Sequence, residues 1–121
     1  MHNAAQAYGK VARQIASPRE LEANLLLRAA AQLQAVANEW PERQGELEEA
    51  LLFNRKLWTI LMTSVTSEDN PLSVEIRQNV ANLGIFVLKQ TVAATGAPNP
   101  ANLEPLVNIN RQLAAGLLGR A

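Results

Sequence analysis

The sequence has no cysteine and a single histidine, His2. Without thiols there are no disulfides and no thiolate nucleophile. With its one imidazole two residues from the start, metal sites built on His and Cys, serine triads and histidine acid–base chemistry lack their parts. Nor is there an excess of either charge: Lys+Arg and Asp+Glu number 11 each, and the balance holds within each half of the chain. A general binder of nucleic acid or of an anionic membrane needs surplus cations to displace counterions from phosphates, so neither direct nucleic-acid binding nor membrane insertion is expected. No apolar run approaches the length that spans a bilayer, and the opening Met-His-Asn-Ala-Ala-Gln-Ala-Tyr shows no basic stretch ahead of an apolar core, so no secretory signal is expected and the expected location is cytoplasmic. Gly9, Gly45, Gly84, Gly96, Gly116 and Gly119 are scattered singly, leaving no phosphate-cradling loop. Carboxylate pairs at helical spacing, Glu42 with Glu46 and Glu46 with Glu49, fall on a polar turn where solvated charge competes with any paired-acid site. The expectation is a protein that is not an enzyme and holds no cofactor or metal.

What the sequence does have is apolar residues recurring every three or four positions between proline and asparagine breaks, with almost no period-two alternation. The fold class this predicts is all-α: a single domain, 1–121, forming an antiparallel bundle of four main helices plus a short N-terminal helix. The short helix covers 3–16, with Ala4, Tyr8, Val11 and Ile15 on one face. The main helices are expected at about 18–40, 46–66, 72–95 and 100–118. Ser17-Pro18-Arg19-Glu20 reads as a capping box with proline at the first helical position. The helix after it carries Leu21, Leu25, Ala29, Leu33, Val36 and Trp40 in one stripe, widened by Leu26, Leu27, Ala30 and Ala37. The next carries Leu47, Ala50, Leu51, Leu57, Trp58, Leu61 and Val65, with Leu52, Phe53 and Ile60 beside them. The third main helix turns Ile76, Val80, Leu83 and Val87 inward with Phe86 at the margin, and the last does so with Leu103, Leu106, Val107, Leu113 and Leu117.

Four features stand out against this pattern. Asn54 and Asn110 each sit inside an apolar stripe, and each precedes an arginine, Arg55 or Arg111. A buried amide must be hydrogen-bonded or it costs about 1–3 kcal/mol, so these residues either pair to fix helix register or face a groove that binds the backbone of an incoming peptide. Asn70-Pro71 and Asn99-Pro100 read as turn and capping elements. Trp58 reads as core, whereas Trp40, ahead of a proline, fits a core or an exposed anchor. From Gln78 to Ala121 only Lys89, Glu104, Arg111 and Arg120 are charged, where about a quarter is usual. Amides take their place, which suits either a partner-covered face or a well-buried helix with a bland surface.

Taken in order, Ala7-Tyr8, Ser17-Pro18-Arg19-Glu20-Leu21-Glu22, the run Leu51-Leu52-Phe53-Asn54-Arg55-Lys56-Leu57-Trp58, Asn70-Pro71-Leu72 with Glu75, Ile76, Arg77 and Asn79, Asn82-Leu83-Gly84-Ile85-Phe86-Val87, and Leu106-Val107-Asn108-Ile109-Asn110-Arg111 followed by Leu113-Ala114-Ala115-Gly116-Leu117 resemble the FlaF family of flagellar biosynthesis regulators of alphaproteobacteria. Ser73 stands where many relatives carry proline. The resemblance implies a cytoplasmic factor that binds unassembled flagellin through its terminal segments, as a chaperone for the flagellar type III export apparatus, and promotes flagellin synthesis and export. The alternative it implies is a regulatory adaptor that controls a partner regulator acting on flagellin messenger RNA. The residues expected to meet a partner are Asn54, Arg55, Trp58, Arg77, Asn79, Asn82, Phe86, Asn110, Arg111 and Leu117.

Overall fold

The computed structural model describes residues 17–120; the expected helix over 3–16 lies outside them. Among the described residues there is no strand, and four long helices carry the fold: α1 (Pro18–Asn38), α2 (Leu47–Thr66), α3 (Val74–Gly96) and α4 (Glu104–Leu117). Their bounds follow local chemistry. Ser17 takes the N-cap of α1, its hydroxyl accepting the Glu20 amide at 3.2 Å, with Pro18 in the first turn, where a missing N–H costs nothing. The helix stops at Asn38 rather than Trp40 because Glu39 leaves helical geometry (φ −117°, ψ 44°). Trp40–Arg43 then forms a single turn with Pro41 near its start. Ser73 caps α3, accepting the Ile76 amide at 3.3 Å, and sets the helix start at Val74. Asn99 accepts the Asn102 amide at 3.1 Å and opens a 3-10 turn, Pro100–Asn102, ahead of α4.

The connections are short, and neighbours run antiparallel. α1 packs most extensively on α4, and α2 on α3; the α1–α2 seam is smaller and the α3–α4 seam smaller still. The fold is thus two tight helix pairs joined side by side. α3 is held to its surroundings at both ends. Arg77 Nε donates to the Val65 carbonyl at 2.7 Å, satisfying the C-terminal turn of α2, and Gln90 Nε2 donates to the Asn102 carbonyl at 2.9 Å beside the entry to α4. Asn70 ties the α2–α3 turn together, donating to the Ser64 carbonyl at 3.1 Å and accepting the Leu72 amide at 2.9 Å. Both Asn-Pro sites are therefore turn and capping elements.

The core differs from the expected stripes in two helices. In α1 the buried residues are Ala23, Leu26, Ala29, Ala30, Leu33 and Val36, whereas Leu21, Leu25 and Leu27 are exposed. Ile76, in the first turn of α3, is also exposed. The α2 stripe is buried as expected, as are Leu103, Leu106 and Val107 before and within α4, with Leu113 and Leu117 partly covered. On the outside of the α1–α2 seam the Arg28 guanidinium lies 5.6 Å from the centre of the Phe53 ring, a cation–π contact.

At Gly84 the α3 backbone lies close against Met62 of α2. A Cβ there would meet Met62 Sδ at 2.5 Å and Cγ at 2.6 Å. Replacing Gly84 with valine should therefore lower stability by about 1–3 kcal/mol, the usual cost of overpacking. Adding Met62→Ala should return most of that loss in urea unfolding; equal losses in the single and double variants would show that the contact does not set the seam.

Candidate partner-binding site

Three of the residues expected at a partner surface instead form one layer of the core. Asn54, Trp58 and Asn110 have 0% exposure. Trp58 Nε1 donates to Asn110 Oδ1 at 2.9 Å; Asn110 Nδ2 donates to Asn54 Oδ1 at 2.7 Å and to the Leu26 carbonyl at 3.3 Å. An indole N–H is only a donor. It must therefore meet the oxygen of Asn110, which turns that residue's amino group toward Asn54 and requires an oxygen there. The direction of the relay follows from this one constraint. Its remainder is Asn54 Nδ2, buried with no partner among the described residues. The relay joins α2 to α4 and α1, and so couples the two helix pairs. Of the two readings of the asparagines, the structure has the pairing one; expecting these three side chains at a surface was incorrect, because the α1–α4 pair covers them.

The other seven divide. Arg77 is half-buried and spent on the end of α2. Asn79, Asn82, Phe86 and Arg111 are exposed, with Asn82 accepting from Gln78 Nε2 at 3.1 Å. Leu117 is partly covered against the core. Only Arg55 lines the principal concavity, which the sequence stripes did not reveal. That is a groove of about 900 Å³ between the first half of α2 and the second half of α3, closed at one end by Trp40. Its walls are Leu47, Leu51 and Leu52 from α2, and Leu88, Thr91, Val92 and Thr95 from α3, with Pro98 beyond them. Thr91 and Thr95 are less polar than their names: their hydroxyls donate back one turn to the Val87 and Thr91 carbonyls at 2.7 and 2.8 Å. Glu48 and Arg55 are the only charged residues on the wall. Leu52 is 38% and Val92 72% exposed, so the rim is apolar as well. The groove begins one turn past the Gly84–Met62 approach, with Leu88 in its wall where α3 has Gly84 a turn earlier. It suits an apolar ligand surface, with few groups able to do chemistry on it.

Burial pushes the Glu22 carboxyl up from the ordinary range, and nearby Arg19 pulls it partly back. Arg43 bridges Glu39 at 2.7 Å and Glu46 at 3.6 Å, an exposed network that steadies the turn carrying Trp40. No cluster of three or more metal-ligating side chains occurs among the described residues, and no helix there is long and apolar enough to cross a membrane.

The flagellar protein FlaF profile matches residues 4–117, nearly the entire chain. The chain belongs to the FlaF family. No curated protein and no solved structure matches it. Membership makes this a flagellar protein, and the FlaF segment Leu51–Trp58 now has a physical division of labour: Asn54 and Trp58 build the relay, whereas Leu51, Leu52 and Arg55 face the groove.

Asn110→Ala should strand the Trp58 donor and the Asn54 acceptor together, lowering stability by about 2–4 kcal/mol in urea unfolding. Asn54→Leu and Asn110→Leu should each be costly, while the double replacement should lose clearly less than their sum, because no amide is then left unpaired by its neighbour. Strictly additive losses would mean that the two amides act independently.

Proposed function

We propose that this FlaF-family chain is a non-enzymatic cytoplasmic factor that binds unassembled flagellin as an export chaperone, and that the groove between α2 and α3 is where it does so. The observation that supports this reading is an open apolar trough of about 900 Å³ with a single acid and a single base on its wall. An amphipathic segment that folds on binding lays its apolar face into such a trough and keeps its polar face in water. Ordering that segment costs several kcal/mol of the gross interaction, which suits a cargo that must be released for export. Flagellin's terminal segments, amphipathic and in need of a partner before polymerising, have this chemistry.

A second reading, an adaptor for the regulator that acts on flagellin messenger RNA, draws support from a different surface. Asn79, Asn82 and Phe86 are exposed on α3, with Phe86 at 46%, and Arg111 is exposed on α4. Uncharged amides around an exposed aromatic suit a protein contact. Pull-downs with each partner alone and in competition separate the two readings.

Val92→Asp places a charge on an already exposed rim position and should leave the thermal melt unchanged. Flagellin affinity measured by calorimetry should fall about tenfold or more, about 1.4 kcal/mol per decade. Flagellin lacking its C-terminal segment should not bind. Unchanged affinity for the truncated flagellin would move the contact to the N-terminal segment, and unchanged affinity of the Val92 variant would remove the groove from the site.

A further inference from the structure

The exposed side of α2 is complementary to itself. Acids stand at Glu48 and Glu49, bases at Arg55 and Lys56, and all four are exposed. None of them forms an ion pair among the described residues, where Arg43 alone does so with Glu39 and Glu46. Seven residues return a helix to nearly the same azimuth. Glu48 and Arg55 therefore share one flank of the helix, Glu49 and Lys56 share the other, and Leu52 lies between the flanks and midway between the charges. The acids and bases are separated by about 10 Å along the axis.

We infer that a second copy of this chain docks here, antiparallel, about a two-fold axis passing beside Leu52. Such an axis keeps each flank on its own side and reverses the direction, so Glu48 meets Arg55 of the second copy and Glu49 meets Lys56 of the second copy. Both pairs are then made twice, as an isologous contact requires. A parallel copy would set acid on acid and base on base, so charge selects the antiparallel arrangement. The centre of the contact is apolar. Leu52 and Val92 are exposed there, and Leu88 lies beneath them in the groove wall on the flank that both copies share. Beyond the charges, Thr59 and Thr63 turn their hydroxyls to the Arg55 and Thr59 carbonyls at 2.9 Å each, removing polar donors from the exposed side of the helix.

The dimer closes the mouth of the groove over its own apolar rim. Its effect on cargo rests on the flagellin reading: self-association then stores the protein with the groove covered until flagellin displaces the second copy. The dimer itself is tested without flagellin, so its failure leaves the chaperone reading standing, and failure of flagellin to bind leaves the dimer standing. Sedimentation equilibrium of the full chain should show a monomer–dimer equilibrium that weakens as salt is raised. The double replacements Glu48→Lys with Glu49→Lys, and Arg55→Glu with Lys56→Glu, should each raise the dissociation constant about tenfold or more while leaving the circular-dichroism melt unchanged. Mixing the two variants in equal amounts should restore a heterodimer, since each then offers what the other lacks. Leu52→Asp should abolish association. A wild-type chain that stays monomeric at every concentration would overturn the proposal, as would charge variants that dimerise like wild type or that fail to recover on mixing.

Discussion

The indole N–H of Trp58 has one hydrogen-bonding capability, donation, and it is buried where only the Asn110 oxygen can receive it. From that bond the central layer follows. The Asn110 amino group is pointed at Asn54 and at the Leu26 carbonyl, so α1, α2 and α4 meet at one register. The wider packing makes this consequential. The α1–α4 and α2–α3 pairs are each extensive, and the seam between α1 and α2 is smaller. Apolar side chains alone would let one pair slide on the other by a turn at modest cost, because leucines are interchangeable partners. A relay with one acceptor per donor does not slide. The unpaired Asn54 Nδ2 shows what this arrangement costs: register is gained by burying one amino hydrogen-bonding group without a partner.

Much of this was legible in the residues. The four main helices followed from periodicity and caps, and Ser17 and Asn99 behave as their neighbourhoods predict. The asparagine pairing was one of two readings, because an amide in an apolar stripe announces that it needs a partner but not who supplies it. The inward face of α1 was read incorrectly for a physical reason. Leu25, Leu26 and Leu27 are consecutive and together cover more than half the circumference of the helix. Periodicity then cannot select among them; the neighbours do, and they select Leu26. The groove was hidden for a different reason. Its walls come from separate stretches around Trp40, Leu51 and Val92, and on each helix those residues sit beside the buried stripe, where a sequence pattern reads them as the margin of a core.

The charge-poor stretch after Gln78 is a property of the surface. Val80, Val87, Ala94, Leu103, Leu106, Val107 and Ala114 are buried, but buried residues are about as frequent in this stretch as in the described residues before it, so the depletion lies on the surface. Core does not explain Ile85, Phe86 and Val92, exposed at 49%, 46% and 72% on α3. Single exposed apolar residues are common on folded proteins. With Val74 and Ile76, α3 exposes five large apolar residues, three of them in a segment nearly free of charge, where few solvated groups discourage contact.

The relay and the groove also depend on each other through α2. Asn54 and Trp58 anchor one side of this helix to α1 and α4, and Leu51 shares that buried side at the floor of the groove, while Leu52 and Arg55 lie on the exposed side at its rim. A helix that lines an apolar trough would ordinarily tend to close it, since collapse buries more surface. Here closure is opposed from two sides. The amide layer holds α2 at its register on the α1–α4 pair, and α3 is fixed at Val65 and Asn102 by the Arg77 and Gln90 bonds. Gly84 lets α2 and α3 approach closely at one level, and the groove opens at the next. An open apolar surface in water is thus maintained by polar bonds placed elsewhere, so the same helix can be rigid toward the core and available to whatever covers its outer side.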